Sequence, residues 1–312
     1  MTAAAAVAVP ARAAGVLWRF SRPHTVMGTT VSVVGLFTIV AADVDGLGAG
    51  EAAFHLFWTL VAGLAVNVFI VGINQISDVE IDRVNKPFLP IAAGELTVER
   101  AWWIVIACAV LPLLLAATQG ALELAAVAAA LGIGVAYSVP PVRLKRFAIL
   151  ASLCVSGVRS AIVNLGVAGH FTSAFTGQTT IPDAVWALTA FVLPFSIAIA
   201  ILKDVPDAEG DRLGRIATFT VRYGPRAVMR AGVGILVVAY LGMAILGPLL
   251  VDDAAPAVLA ATHLAALALL LFWMRGVEPS DPRNFTRFYM RVWQLFFLEY
   301  AIVPVSCLAG LA

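Results

Sequence analysis

Asn74-Gln75-Ile76-Ser77-Asp78-Val79-Glu80-Ile81-Asp82 closes a long apolar run, and its reading decides the rest of the chain. If the helix of that run continues, Asn74, Asp78 and Asp82 recur every four residues and share one face, each about 6 Å further along the axis. Carboxylates at the end of a membrane helix are costly unless positive charge offsets them, about 2.5–3.5 kcal/mol per charge at the bilayer centre. The natural partner for closely spaced carboxylates with no nearby Cys or His is a hard, oxygen-seeking cation such as Mg2+. The pattern returns 129 residues later: Asp78-Val79-Glu80-Ile81-Asp82-Arg83 is matched by Asp207-Ala208-Glu209-Gly210-Asp211-Arg212, with Lys203 standing where Asn74 stands in the first copy. Both copies end an apolar run, which points to an internal duplication with a metal site between the halves.

The chain has 312 residues, 61% hydrophobic and only 12% charged. A soluble chain of this size would be about a quarter charged, so this is a polytopic membrane protein. Nine runs are long enough to span a ~30 Å core: 25–42, 53–76, 101–117, 121–139, 147–171, 184–202, 227–251, 255–274 and 292–311. Their length and Ala/Leu content predict an all-α fold, not a barrel of short alternating strands. Residues 1–16, with Arg12 the only charge, read as a disordered tail, and 17–312 as one nine-helix domain.

Of the 20 Lys and Arg, all but Arg159 fall before the first span or after the second, fourth, sixth and eighth, while the opposite connectors carry only acidic residues. The positive-inside rule then places the amino terminus and both acidic motifs in the cytoplasm. A net charge of +1 argues against nucleic acid as a partner. Cys108, Cys154 and Cys307 lie inside apolar runs and read as small core residues. His24, His55, His170 and His263 are scattered along the chain, which argues against a histidine metal site. Arg159 and Glu299 sit inside the fifth and ninth spans. They are predicted to pair, either to serve function or to fix helix register. Pro206, between Asp204 and Asp207, is expected to kink or restart its helix.

Carboxylates hold Mg2+ through few ligands and leave positions open for phosphate oxygens. Lys and Arg bind the same oxygens. With an apolar interior beside them, these groups suit a ligand with a diphosphate head and a hydrocarbon tail. Phe69, Phe195 and Tyr137 are placed beside the motifs and are candidates to present a ring face to a cation.

These features resemble the UbiA superfamily of intramembrane prenyltransferases, above all its homogentisate branch. The resemblance runs from about residue 18 to 304. It rests on Ser21-Arg22-Pro23-His24-Thr25, the stretch from Asn74 through Asn85-Lys86-Pro87 to Gly94, Tyr137-Ser138-Val139-Pro140-Pro141 with Arg143, Lys145 and Arg146, Arg159 with Asn164, Lys203-Asp204-Val205-Pro206-Asp207, and Glu299-Tyr300. It implies nine helices around a central cavity open to the lipid bilayer and capped by cytoplasmic loops. It further implies that Asn74, Asp78 and Asp82 form one Mg-diphosphate motif and Asp207 and Asp211 the other, with Lys203 and Asp204 beside it. Arg22, Lys86, Lys145 and Arg146 become candidate diphosphate contacts, and Tyr137, Arg159 and Asn164 candidate substrate contacts. Asn67 stands where the 4-hydroxybenzoate branch tends to carry Arg, and Pro141 stands at a spacing from Tyr137 where many relatives have Lys. The implied reaction is Mg2+-dependent prenylation of an aromatic small molecule by a prenyl diphosphate. A terpene cyclase of the same fold and, more remotely, a lipid-diphosphate or cation transporter are the alternatives. The expected location is a bacterial cytoplasmic membrane, and nothing in the sequence sets the oligomeric state.

Overall fold

A computed structural model describes residues 13–214 and 216–311. Among the described residues nine helices are long and apolar enough to cross a membrane: α1 Pro23–Ala42, α2 Ala49–Ser77, α3 Val98–Gln119, α4 Ala121–Ser138, α5 Ala148–Thr176, α6 Asp183–Leu213, α7 Pro225–Leu250, α8 Pro256–Met274 and α9 Pro282–Gly310. No strand is present among the described residues. The predicted tail lies mostly outside them, except that its last residues, 13–16, belong to a short helix covering 13–20.

Helix boundaries follow local chemistry. Pro23, Pro225, Pro256 and Pro282 open their helices, where the missing N–H has no intrahelical partner to lose. Thr97 caps α3 by accepting from the Arg100 N–H, and Asp281 caps α9 by accepting from those of Arg283 and Asn284. Gly120, at φ 146°, makes the turn between α3 and α4.

Helices α6 and α9 are the central pair, each 61% buried along its apolar window against 22–39% for the other seven. Around them Phe195, Leu202, Leu236, Trp293 and Phe296 form the larger core, and Phe69, Ile73, Val105 and Leu131 form a second between α2, α3 and α4. Outward-facing Trp103, Leu114, Val238 and Leu249 are exposed, the opposite of a soluble surface and the expected face toward lipid. Helices α1 and α9 meet without side chains at one point: a Cβ on Gly35 would lie 2.6 Å from the Tyr300 carbonyl oxygen.

Three features depart from the sequence expectation. The apolar run through Asn74 does not continue as one helix; α2 ends at Ser77, Asp78 takes φ −119° and ψ 17°, and a short helix Val79–Asn85 follows. Pro206 does not restart α6, which stays helical from Asp183 to Leu213 with the proline inside it. In α5 the segment Val158–Leu165 is π-helical, a widened turn that periodicity does not reveal.

Candidate active site

Both acidic motifs face one cavity of about 60 Å³ at one end of the bundle, lined by Asn74, Asp78 and Asp82 on one wall and by Asp204, Asp207 and Asp211 on the other. The break at Asp78 is what aims its carboxylate inward. Asp78 accepts from Asn74 Nδ2 at 3.1 Å, from Arg143 Nη2 at 2.9 Å and from Lys145 Nζ. Arg22 in turn donates to Asn74 Oδ1 at 3.3 Å. Across the cavity Lys86 pairs with Asp207, while Lys203 donates to the Tyr137 hydroxyl at 3.2 Å and lies 3.5 Å from Asp204. Arg22 and Arg143 both adopt left-handed backbone, at φ 53° and 39°. Such conformations are costly in non-glycine residues and concentrate where function fixes a side chain.

The two motifs are tied directly to each other. Asn85, at the end of the first, accepts a 2.8 Å hydrogen bond from the Gly210 N–H inside the second. A Cβ on Gly210 would lie 2.4 Å from Asn85 Oδ1, so glycine is what permits the approach. Above them a lone β-bridge joins Phe147, after the loop following α4, to Ala217, in the loop following α6. These connectors therefore close over the cavity as a cap.

The carboxylates of the site are not equally partnered. Asp78 and Asp207 are paired, but the Asp82 Oδ2 atom is buried with no hydrogen-bond partner. Burial pushes the Asp82 carboxyl up to about 6, reinforced by Asp78 and Asp207 and opposed by Arg22 and Lys86. Burial likewise lowers Lys145, against the pull of Asp78. Among the described residues no three of His, Cys, Asp and Glu converge tightly enough to hold a metal unaided. That arrangement fits Mg2+, which binds through one or two carboxylates per site and completes its octahedron with water and substrate phosphate. The buried, unpartnered Asp82 oxygen is chemically suited to be a ligand for such a cation.

A larger cavity of about 290 Å³ adjoins the first and shares Arg22, Asn74, Tyr137 and Lys203 with it. Its walls are mostly aliphatic and aromatic, including Trp293, Phe296 and Ile162. A charged head region thus opens directly into an apolar chamber between the helices.

The family follows from a match along almost the whole span region. The model of the UbiA prenyltransferase family matches residues 27–296. The chain belongs to the UbiA prenyltransferase family. It is 43% identical over 290 residues to a homogentisate phytyltransferase of Synechocystis sp., covering 93% of this chain and 94% of that one. It is 36% identical to a chloroplastic homogentisate solanesyltransferase of Arabidopsis thaliana, covering 94% and 77%. A solved UbiA homolog from Archaeoglobus fulgidus, bound to GPP and Mg2+, shares the fold with TM-score 0.60 at 19% identity, covering 93% of this chain and 99% of that one. This UbiA chain is accordingly a membrane-embedded prenyltransferase.

Most of the residues singled out in the sequence converge here, and a few do not. Arg22, Asn74, Asp78, Asp82, Lys86, Tyr137, Lys145, Lys203, Asp204, Asp207 and Asp211 all line the smaller cavity. Asn67 lines the larger one and donates to the Ser21 carbonyl at 3.3 Å. Arg146 is exposed, with its guanidinium 4.8 Å from the Phe147 ring centroid, and lines neither cavity. Asn164 is buried behind the wall, where its Oδ1 accepts from the Tyr300 hydroxyl at 2.7 Å. Arg159 and Glu299 do not pair: Glu299 is bonded to His263 at 2.9 Å in the core. Phe69 and Phe195 are core residues, so of the three aromatic candidates only Tyr137 reaches the cavities. The histidines are less scattered in space than in sequence. The His55 and His170 rings lie tilted at 54° with centroids 5.3 Å apart, and His170 lies 2.9 Å from Glu123. Sequence reasoning left Arg143 and Asn85 out of the site, although each stands within a stretch that carries the family resemblance.

Proposed function

We propose that this chain transfers a prenyl group from a prenyl diphosphate to a ring carbon of a homogentisate-like phenol, with Mg2+ as cofactor. The observation that carries the reading is the single cavity shared by both acidic motifs and lined by Arg22, Lys86, Lys145 and Lys203, with Arg143 bonded to Asp78 in its wall and an apolar chamber adjoining it. Asn74, Asp78, Asp82, Asp207 and Asp211 would hold the cation, which when bound adds positive charge against the departing diphosphate. The Lys and Arg side chains bind diphosphate oxygens and stabilise the charge that develops as the allylic C–O bond breaks. The apolar walls keep water from the carbocation. Tyr137, at the junction of the cavities, presents its ring to that cation. A ring carbon of the phenol then attacks, and loss of the ring proton restores aromaticity.

Homogentisate is the substrate in the names of both relatives, which supports this acceptor over 4-hydroxybenzoate. Neither relative supports the cyclase alternative. Transport is disfavoured because the carboxylates cluster at one end of the bundle, away from the midplane where transporters place ion sites. The clustering of basic residues supports a cytoplasmic mouth in a bacterial membrane.

The test is turnover of geranylgeranyl and phytyl diphosphates by the purified protein with Mg2+, with and without homogentisate. Prenylated quinol and pyrophosphate should form together and cease on chelation of Mg2+. Asp78→Ala and Asp207→Ala should each abolish turnover in protein that remains folded. Terpene hydrocarbon formed without the phenol, or substantial activity in either variant, would overturn the reading.

A further inference from the structure

Arg159 is the one cation of the substrate chambers that stands apart from the carboxylates. It projects from the π-helical turn Val158–Leu165 of α5 and lines the larger cavity but not the smaller. Its guanidinium carbon lies 4.4 Å from the Trp293 ring centroid and 5.6 Å from that of Phe296. Both rings belong to α9 and lie within cation–π distance of the guanidinium. Its Nη1 atom is buried without a hydrogen-bond partner. Among the described residues no Asp or Glu lies within ion-pair distance of it, and the acid nearest in expectation, Glu299, is committed to His263.

A guanidinium left unpaired inside a membrane bundle costs several kcal/mol. Its persistence needs an anion that arrives with a ligand. On the proposed function the diphosphate belongs to the smaller cavity, where Arg22, Lys86, Lys145 and Lys203 supply its cations. What remains is a planar anion small enough to share an aromatic-walled chamber with the prenyl tail. A carboxylate matches the guanidinium fork in shape and charge, and Trp293 and Phe296 offer faces for the ring that carries it.

We infer that Arg159 anchors the carboxylate of the aromatic acceptor, and so selects phenols bearing an anionic side chain and sets which ring edge faces the allylic carbon. The inference rests on the acceptor reading above. It makes Arg159 a specificity-determining contact, separate from the diphosphate machinery.

The experiment compares homogentisate with its methyl ester as acceptors for wild type, Arg159→Met and Arg159→Lys, with geranylgeranyl diphosphate as donor. Wild type should favour the acid. In Arg159→Met the ratio of kcat/KM for acid over ester should fall on the order of a hundredfold, the loss expected when one partner of a buried charge pair is truncated. Arg159→Lys, which keeps the charge but not the fork, should fall between. The KM for the donor should hold within about threefold in both, since no diphosphate contact is lost. Equal loss for acid and ester, an unchanged ratio, or a raised donor KM would overturn the inference alone. A wild type that prenylates neither acceptor would overturn the acceptor reading and the inference together.

Discussion

The contact between Asn85 and Gly210 tests whether the two acidic motifs work as one unit. In Gly210→Ala the new Cβ would lie 2.4 Å from Asn85 Oδ1 and 2.6 Å from Nδ2, well inside contact distance. The amide can swing away, but only by giving up its 2.8 Å bond to the Gly210 N–H. Gly210 lies within α6, so its N–H keeps the helix carbonyl and the loss is that of one added hydrogen bond, about 0.5–1.5 kcal/mol. Asn85→Ala loses the same bond from the other side and should cost about the same 0.5–1.5 kcal/mol. In the double variant the bond is lost once, not twice, so its penalty should match either single variant instead of their sum. The coupling is then about 0.5–1.5 kcal/mol, roughly two- to twelvefold in an equilibrium or rate ratio. The assay is kcat/KM for the prenyl diphosphate in detergent micelles, with the thermal midpoint of each protein measured alongside. A neutral Gly210→Ala, or two penalties that simply add, would refute the claim that this bond holds the motifs in register.

Further expectations concern the surrounding residues. Arg143→Ala removes the 2.9 Å contact to Asp78 and should raise the KM for the prenyl diphosphate about tenfold, the loss of one charge-assisted hydrogen bond; an unchanged KM would remove Arg143 from the site. Glu299→Leu leaves His263 without its side-chain hydrogen-bond partner, and breaking a buried pair in this way costs about 3–5 kcal/mol. The thermal midpoint should drop while kcat per folded molecule holds, and a selective loss of kcat would instead give Glu299 a part in catalysis.

Much of this protein is decided along the chain. The count of spans, the location of both acidic motifs at helix ends and the segregation of Lys and Arg depend on composition and spacing, because a bilayer imposes length and polarity segment by segment. The repeat of D-x-E-x-D-R at a fixed offset was enough to expect one shared chamber, since duplicated halves bring equivalent positions together. Proximity between side chains is another matter. The sequence shows Arg159 and Glu299 as two opposite charges within spans, and charge alone suggests a pair. Helix rotation decided otherwise, turning Glu299 toward His263 and Arg159 toward Trp293. The same holds for Phe69 and Phe195, whose positions beside the motifs say nothing of the face they occupy. Asp78 reaches Arg143 and Lys145 because the helix breaks there, and that break costs a turn of backbone hydrogen bonding which only partners 65 and 67 residues away repay. Local propensity acts on neighbours in the chain, whereas the rotation of each helix about its axis is set by what packs against it. The ingredients of the site were therefore legible in the sequence, and their partners were settled by tertiary packing.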